Sequence, residues 1–171
     1  MLVPVPGGVL ALMGSTDAGG MALALNQIKN FARVDAGLAT AGQPSEAELC
    51  LLRDEGFEEV VNLGLLDPRY CLEDEAGSVH ALGMGYQHIP VDFGAPELSD
   101  YERFEQTMLD RRDRKVFVHC AMNYRVSCFT ALYGEAHLGW SREQADAWIE
   151  RQWRPDPVWT AFVERVRAGN R

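Results

Sequence analysis

The stretch VFVHCAMNYRVSCF (116–129) decides the fold, because it passes from a strand into a helix within a few residues. Lys115 to Cys120 is rich in β-branched and aromatic side chains and predicts a buried strand. Beyond a short loop the chain predicts a helix to about His137, stopped by Gly139. A strand-to-helix loop of this kind points successive backbone N–H groups inward, where the helix dipole also favours negative charge. Cys120 at its base is favoured there as a thiolate, the nucleophilic form. Arg125 adds a planar fork that matches two oxygens of a tetrahedral oxyanion. Together they suit phosphoryl transfer to sulfur, with the charge met by amides and Arg125.

Outward from this loop, strands and helices alternate. FARVDAGLATAGQP (31–44) predicts a short strand followed by a loop. Ser45 and Glu48 form a capping box that opens a helix over AELCLLRDEGF. EEVVNLG (58–64) is a strand, Asp74 to Leu82 a helix, and YQHIPVDF (86–93) a further strand. Ser99 with Glu102 predicts the cap of a helix to about Arg111, and RRDRK (111–115) a solvated turn. Ser141 caps a helix to Trp153, and PDP (155–157) precedes a last helix from Val158. Trp148, Trp153 and Trp159 are candidate core anchors for these two helices.

This order implies one α/β domain over 26–171, with a mostly parallel central sheet flanked by helices. Ligands in such sheets bind at the carboxyl ends of the strands, where both Cys120 and Asp92 fall. Residues 1–25 are apolar and glycine-rich, with the first basic residue at Lys29, and predict a loosely ordered extension. Met21 is an alternative start. No positive n-region precedes the apolar run, and no span reaches transmembrane length.

The net charge of −9 argues against nucleic acid and anionic lipid as partners. Cys50, Cys71, Cys120 and Cys128 contain no CxxC pair, and the four histidines show no HxH or HExxH spacing. No metal and no cofactor is expected, and reduced thiols suit the cytoplasm. Oligomeric state leaves no trace in the sequence.

Asp92 stands 28 residues before Cys120. It has two readings: the acid that protonates a leaving oxygen, or a turn aspartate ahead of Gly94. Gln43 either approaches the site or fixes a turn with Pro44. Tyr124 either walls the pocket or packs on its own helix. Cys128 is a small core residue or a resolving thiol.

VHCAMNYRVS, preceded by HIPVDFGAPELSDYERF, resembles the cysteine-dependent protein tyrosine and dual-specificity phosphatase superfamily. NFARVDAGLATAGQPSEAEL, VVNLG and PDPVW are similar to a bacterial branch of it, and the segments span Asn30 to Val166. The resemblance implies Cys120 as nucleophile, Arg125 as phosphate ligand, Asp92 as general acid and His119 as support for the thiolate. Ala121, Met122, Asn123, Tyr124, Ser127 and Gln43 are the candidate substrate-binding residues. The implied activity is a metal-independent phosphomonoesterase with a phosphocysteine intermediate, acting on a phosphorylated small molecule or phosphoprotein.

The superfamily places five residues between cysteine and arginine, whereas here four intervene and the usual loop glycine is missing. Either Arg125 is displaced within a full-length loop that Ser127 keeps in register, or the loop is contracted. A contracted loop resembles that of rhodanese-type sulfurtransferases, so a persulfide carrier is the alternative activity. A non-catalytic anion-binding module is the third.

Overall fold

Five short strands form one sheet in the order β1-β2-β5-β3-β4 in a computed structural model that describes residues 24–169. They are β1 (Ala32–Arg33), β2 (Leu38–Ala41), β3 (Glu59–Asn62), β4 (Gly85–His88) and β5 (Val116–His119). Only the β1–β2 pair is antiparallel; β2, β5, β3 and β4 run parallel. The central strand β5 is the one that carries the cysteine loop. The helices that lie wholly among the described residues are α1 (Glu46–Asp54), α2 (Glu75–Ala81), α3 (Leu98–Asp110), α4 (Tyr124–His137), α5 (Arg142–Glu150) and α6 (Pro157–Gly169).

The period-2 alternation of β5 divides the core. Val116, Val118 and Cys120 face α3, α4, α5 and α6, joining Phe104, Phe129, Trp159 and Phe162. Phe117 faces the other way, onto α1 and α2, with Leu49, Leu52, Val60 and Val79. His119 shares that second face and stacks on Phe117 at 5.8 Å. The direction of each functional side chain at the strand end is therefore set by the pleat.

Several local expectations change. The loop predicted after β1 contains β2, whose four residues, LATA, are all buried between β1 and β5. Small side chains with weak strand propensity hid it, and tertiary pairing overrides propensity. β4 stops at His88, although the Ile89 and Val91 N–H groups still donate to Asn62 O (2.9 Å) and Leu63 O (3.1 Å) beyond it. The cap of α3 is Glu97, not Ser99. The Glu97 N–H donates to Asp100 Oδ2 (3.0 Å), so the helix starts earlier than the Ser99–Glu102 pair implies. α5 ends at Glu150, and Trp153 turns out of the helix onto α4.

The extension predicted over 1–25 lies outside the described residues except for Ala24 and Leu25, and Leu25 is fully buried in the second core. No helix among the described residues is long and apolar enough to cross a membrane.

Candidate active site

β5 ends at His119 and α4 begins at Tyr124, so the connecting loop is Cys120, Ala121, Met122 and Asn123. Arg125 already lies in the first turn of α4. The loop is thus closed in four residues, and the helix starts before the arginine. Asn123 makes the turn with φ 69°, the left-handed conformation that a glycine adopts freely and asparagine tolerates. Its buried amide explains asparagine at this place. Nδ2 donates to Asn30 O (2.8 Å) and Thr40 Oγ1 (3.1 Å), while Asn30 Nδ2 returns a bond to Met122 O (2.8 Å). On the other side the Gln43 N–H donates to Ala121 O (3.1 Å). A Cβ at Gly42 would stand 2.6 Å from that same carbonyl, so only glycine lets the two loops approach.

Cys120 is almost wholly buried at the base of this loop. The first-turn amides of α4 have no carbonyl one turn earlier to bond, which leaves them free for an anion. Arg125 is buried, and its Nη1 donates to Val91 O (2.8 Å). Its guanidinium lies 6.0 Å from the Phe93 ring centre. The arginine therefore ties the cysteine loop to the loop of Asp92, which otherwise belongs to a different strand. Asp92 is exposed, and its Oδ1 accepts the Gly94 N–H (2.8 Å), the turn role, while its other oxygen meets no partner among the described residues.

Ser127 is fully buried. Its hydroxyl donates to Tyr124 O (2.7 Å) and accepts from Trp153 Nε1 (3.0 Å), so it serves the helix rather than the cradle. Tyr124 stacks on Trp153 at 4.8 Å with the rings nearly parallel. Phe93 packs 5.6 Å from Trp153 and 6.0 Å from Trp159, and Trp159 Nε1 donates to Phe93 O (2.8 Å). Ala121 and Met122 are half-buried along the loop. Burial pushes the Cys128 thiol up to about 12, so it stays a neutral core residue at neutral pH.

On the opposite face of β5 is a buried polar group that sequence reasoning missed. Glu75, the first residue of α2, places Oε2 at 2.9 Å from His119 Nε2. Gln43 Nε2 donates to Glu75 Oε1 (2.6 Å) and to Pro44 O (3.1 Å), so Gln43 fixes a turn and meets the site through Glu75. His119 Nδ1 stands 3.3 Å from Cys120 O. Nothing marked Glu75 in advance, since an acidic residue in a first helical turn is ordinary. Among the described residues, no group of three His, Cys, Asp or Glu gathers as a metal-binding set.

No protein-family model matches the chain. The DUF442 protein of Shewanella putrefaciens CN-32 is 30% identical to it, with a TM-score of 0.77 over 85% of this chain and 96% of that one. Tk-PTP in its active form is 19% identical and shares the fold, with a TM-score of 0.71 over 81% and 97% of the two chains. The "Beta-lactamase hydrolase-like protein" of Agrobacterium fabrum is 27% identical over 150 residues. That match takes in 77% of this chain but only 34% of the relative, so the chain spans about a third of its length.

Proposed function

Because the chain belongs to the DUF442 family of phosphatase-like proteins, built on the protein tyrosine phosphatase fold, we propose that it hydrolyses phosphomonoesters through a phosphocysteine. The observation that carries this reading is Cys120 at the carboxyl end of β5, opening a loop onto the N-terminus of α4 with Arg125 in its first turn. Cys120 Sγ attacks phosphorus, the ester P–O bond breaks, and Asp92 gives its proton to the leaving oxygen. Water then attacks the phosphocysteine, the S–P bond breaks, and Asp92 takes the proton back as inorganic phosphate leaves. Arg125 and the loop amides meet the charge on the equatorial oxygens throughout. The substrate is a phosphorylated small molecule or a phosphoprotein.

Cys120→Ser tests the reading on an aryl phosphate. A nucleophile that acts with its partners as one unit costs on the order of 10⁴-fold or more when removed. Phosphate release by the serine variant at the wild-type rate overturns the reading. The four-residue loop favours a second activity, transfer of a sulfane sulfur to cyanide through a Cys120 persulfide, because a smaller cradle suits a smaller group. Turnover of thiosulfate with cyanide, in a protein that releases no phosphate from esters, selects it.

A further inference from the structure

His119 and Cys120 point to opposite faces of β5, so the imidazole does not meet Sγ. Its path to the nucleophile is the Cys120 carbonyl, 3.3 Å from Nδ1. On its other side Nε2 meets Glu75 Oε2 at 2.9 Å. A carbonyl and a carboxylate are both acceptors, so the ring makes both bonds at once only with a proton on each nitrogen. The ring is wholly buried, where an imidazolium persists only beside a counter-charge.

Glu75 is built to be that counter-charge. It is 4% exposed, and Gln43 holds its second oxygen. Burial acts to raise the Glu75 carboxyl, but the hydrogen bond and charge of His119, with Gln43 and Tyr86, outweigh it and hold the group below its ordinary value. Tyr86 of β4 also bonds Glu75, Cys71 and the rings of His80 and His88 lie around Tyr86, and Asp74 caps the helix just before Glu75. Burial keeps the Tyr86 hydroxyl protonated, and its oxygen accepts from Asn62 Nδ2 (3.1 Å).

A planar trans peptide points its C=O and the following N–H in opposite directions. Holding the Cys120 carbonyl on the His119 side therefore aims the Ala121 N–H away from it, into the loop. We infer that Glu75 is a positioning residue: through a doubly protonated His119 it locks the Cys120–Ala121 peptide with its N–H turned toward the substrate oxyanion. The role rests on the phosphatase reading of the loop, yet it makes a claim about the pair that stands apart from turnover.

The ¹⁵N spectrum of histidine-labelled wild-type protein tests it first and needs no variant. Both His119 ring nitrogens are expected to be protonated near pH 7, and a neutral ring overturns the inference. Glu75→Gln keeps the shape and removes the charge. It is expected to neutralise His119 and slow iodoacetate labelling of Cys120. It is also expected to lower kcat by about 10-fold or more with KM little changed, the pattern of a misaimed oxyanion donor. Glu75→Gln combined with His119→Gln is expected to be no slower than His119→Gln alone, since both act through one contact. Labelling and kcat within twofold of wild type in Glu75→Gln, or additive losses in the double variant, refute the role. If wild type releases no phosphate from any ester while Glu75→Gln still slows labelling, the proposed function falls and the positioning role stands.

Discussion

Two buried glutamates, one at each end of the sheet, are held in different ways. Glu59 opens β3 at the amino ends of the parallel strands, with Oε2 at 3.2 Å from Arg111 Nε and Oε1 at 2.5 Å from Arg114 Nη1. Glu75 lies beside the carboxyl end of β5 and meets one histidine and one neutral amide. Arginine is charged at every accessible pH, so the Glu59 cluster is fixed and its two cations are spent on one carboxylate. The imidazole of His119 instead bonds on both sides, so the Glu75 pair connects to the Cys120 carbonyl at the base of the loop. The first arrangement is suited to holding a sheet end together. The second is suited to aiming a reacting group.

Changes at the carboxyl end should act on turnover, and changes at the amino end on stability. The largest effect is expected from Arg125→Lys. A point ammonium cannot offer two parallel N–H bonds to an oxyanion as the guanidinium fork does, so a loss of about 10²–10³-fold in kcat/KM is expected. Near-wild-type turnover would mean that Arg125 only ties the Asp92 loop in place. Asp92→Asn comes next, with about 10²-fold loss on esters with poor leaving groups and much less on activated aryl phosphates. Equal losses on both would leave Asp92 with only the turn bond to Gly94.

Glu59→Gln should break the comparison if it is false. Arg111 and Arg114 reach solvent, which softens the loss, so about 1–2 kcal/mol of stability should go while kcat is unchanged. Denaturant midpoints measured beside kinetics decide it; a fall in kcat without a fall in midpoint contradicts the division of labour. Asn123 sharpens the same point. Asn123→Ala and Asn123→Gly both drop the bonds to Asn30 and Thr40, but only alanine keeps a Cβ at φ 69°, so it should be less stable than the glycine variant by about 1 kcal/mol. Equal melting temperatures for the two would show that backbone strain is not what selects the residue.

The smallest effect is a pH dependence. A folded carboxyl held below its ordinary value takes up its proton later than the unfolded one as pH falls. Glu75 therefore adds stability above that value and loses it as pH falls below. Wild type should lose its margin over Glu75→Gln as pH falls through and below the ordinary glutamate range, read from urea midpoints. A constant margin across that range would mean that Glu75 gains nothing from its partners in the fold.

What was legible in the sequence is local. Ser45 with Glu48 and Ser141 with Gln144 close capping boxes within one helical turn, and Gly139 with φ 72° ends α4. The strand–loop–helix path at 116–129 needs only neighbouring residues, and so Cys120 and Arg125 could be placed at a strand end from pattern alone. RRDRK shows the limit of that reading, because two of its arginines meet Glu59 more than fifty residues away. The same limit hid β2, whose four residues are a strand only because β1 and β5 supply its partners.

The sequence by itself determined the order of elements apart from β2, the carboxyl-end location of Cys120 and the four-residue spacing to Arg125. Tertiary structure alone decided how that spacing is met. Asn123 takes the left-handed turn because Asn30 and Thr40 wait for its amide, and Arg125 reaches Val91 because the segment after β4 is held at the end of β3, beside β5, by the Val91 N–H to Leu63 O bond. It also decided that Glu75, 44 residues from His119 in the chain, meets the His119 ring. The reason is physical: caps and turns close over three or four residues and leave a mark in local sequence. A buried carboxylate–imidazole pair is made only when packing removes both groups from water at the same place.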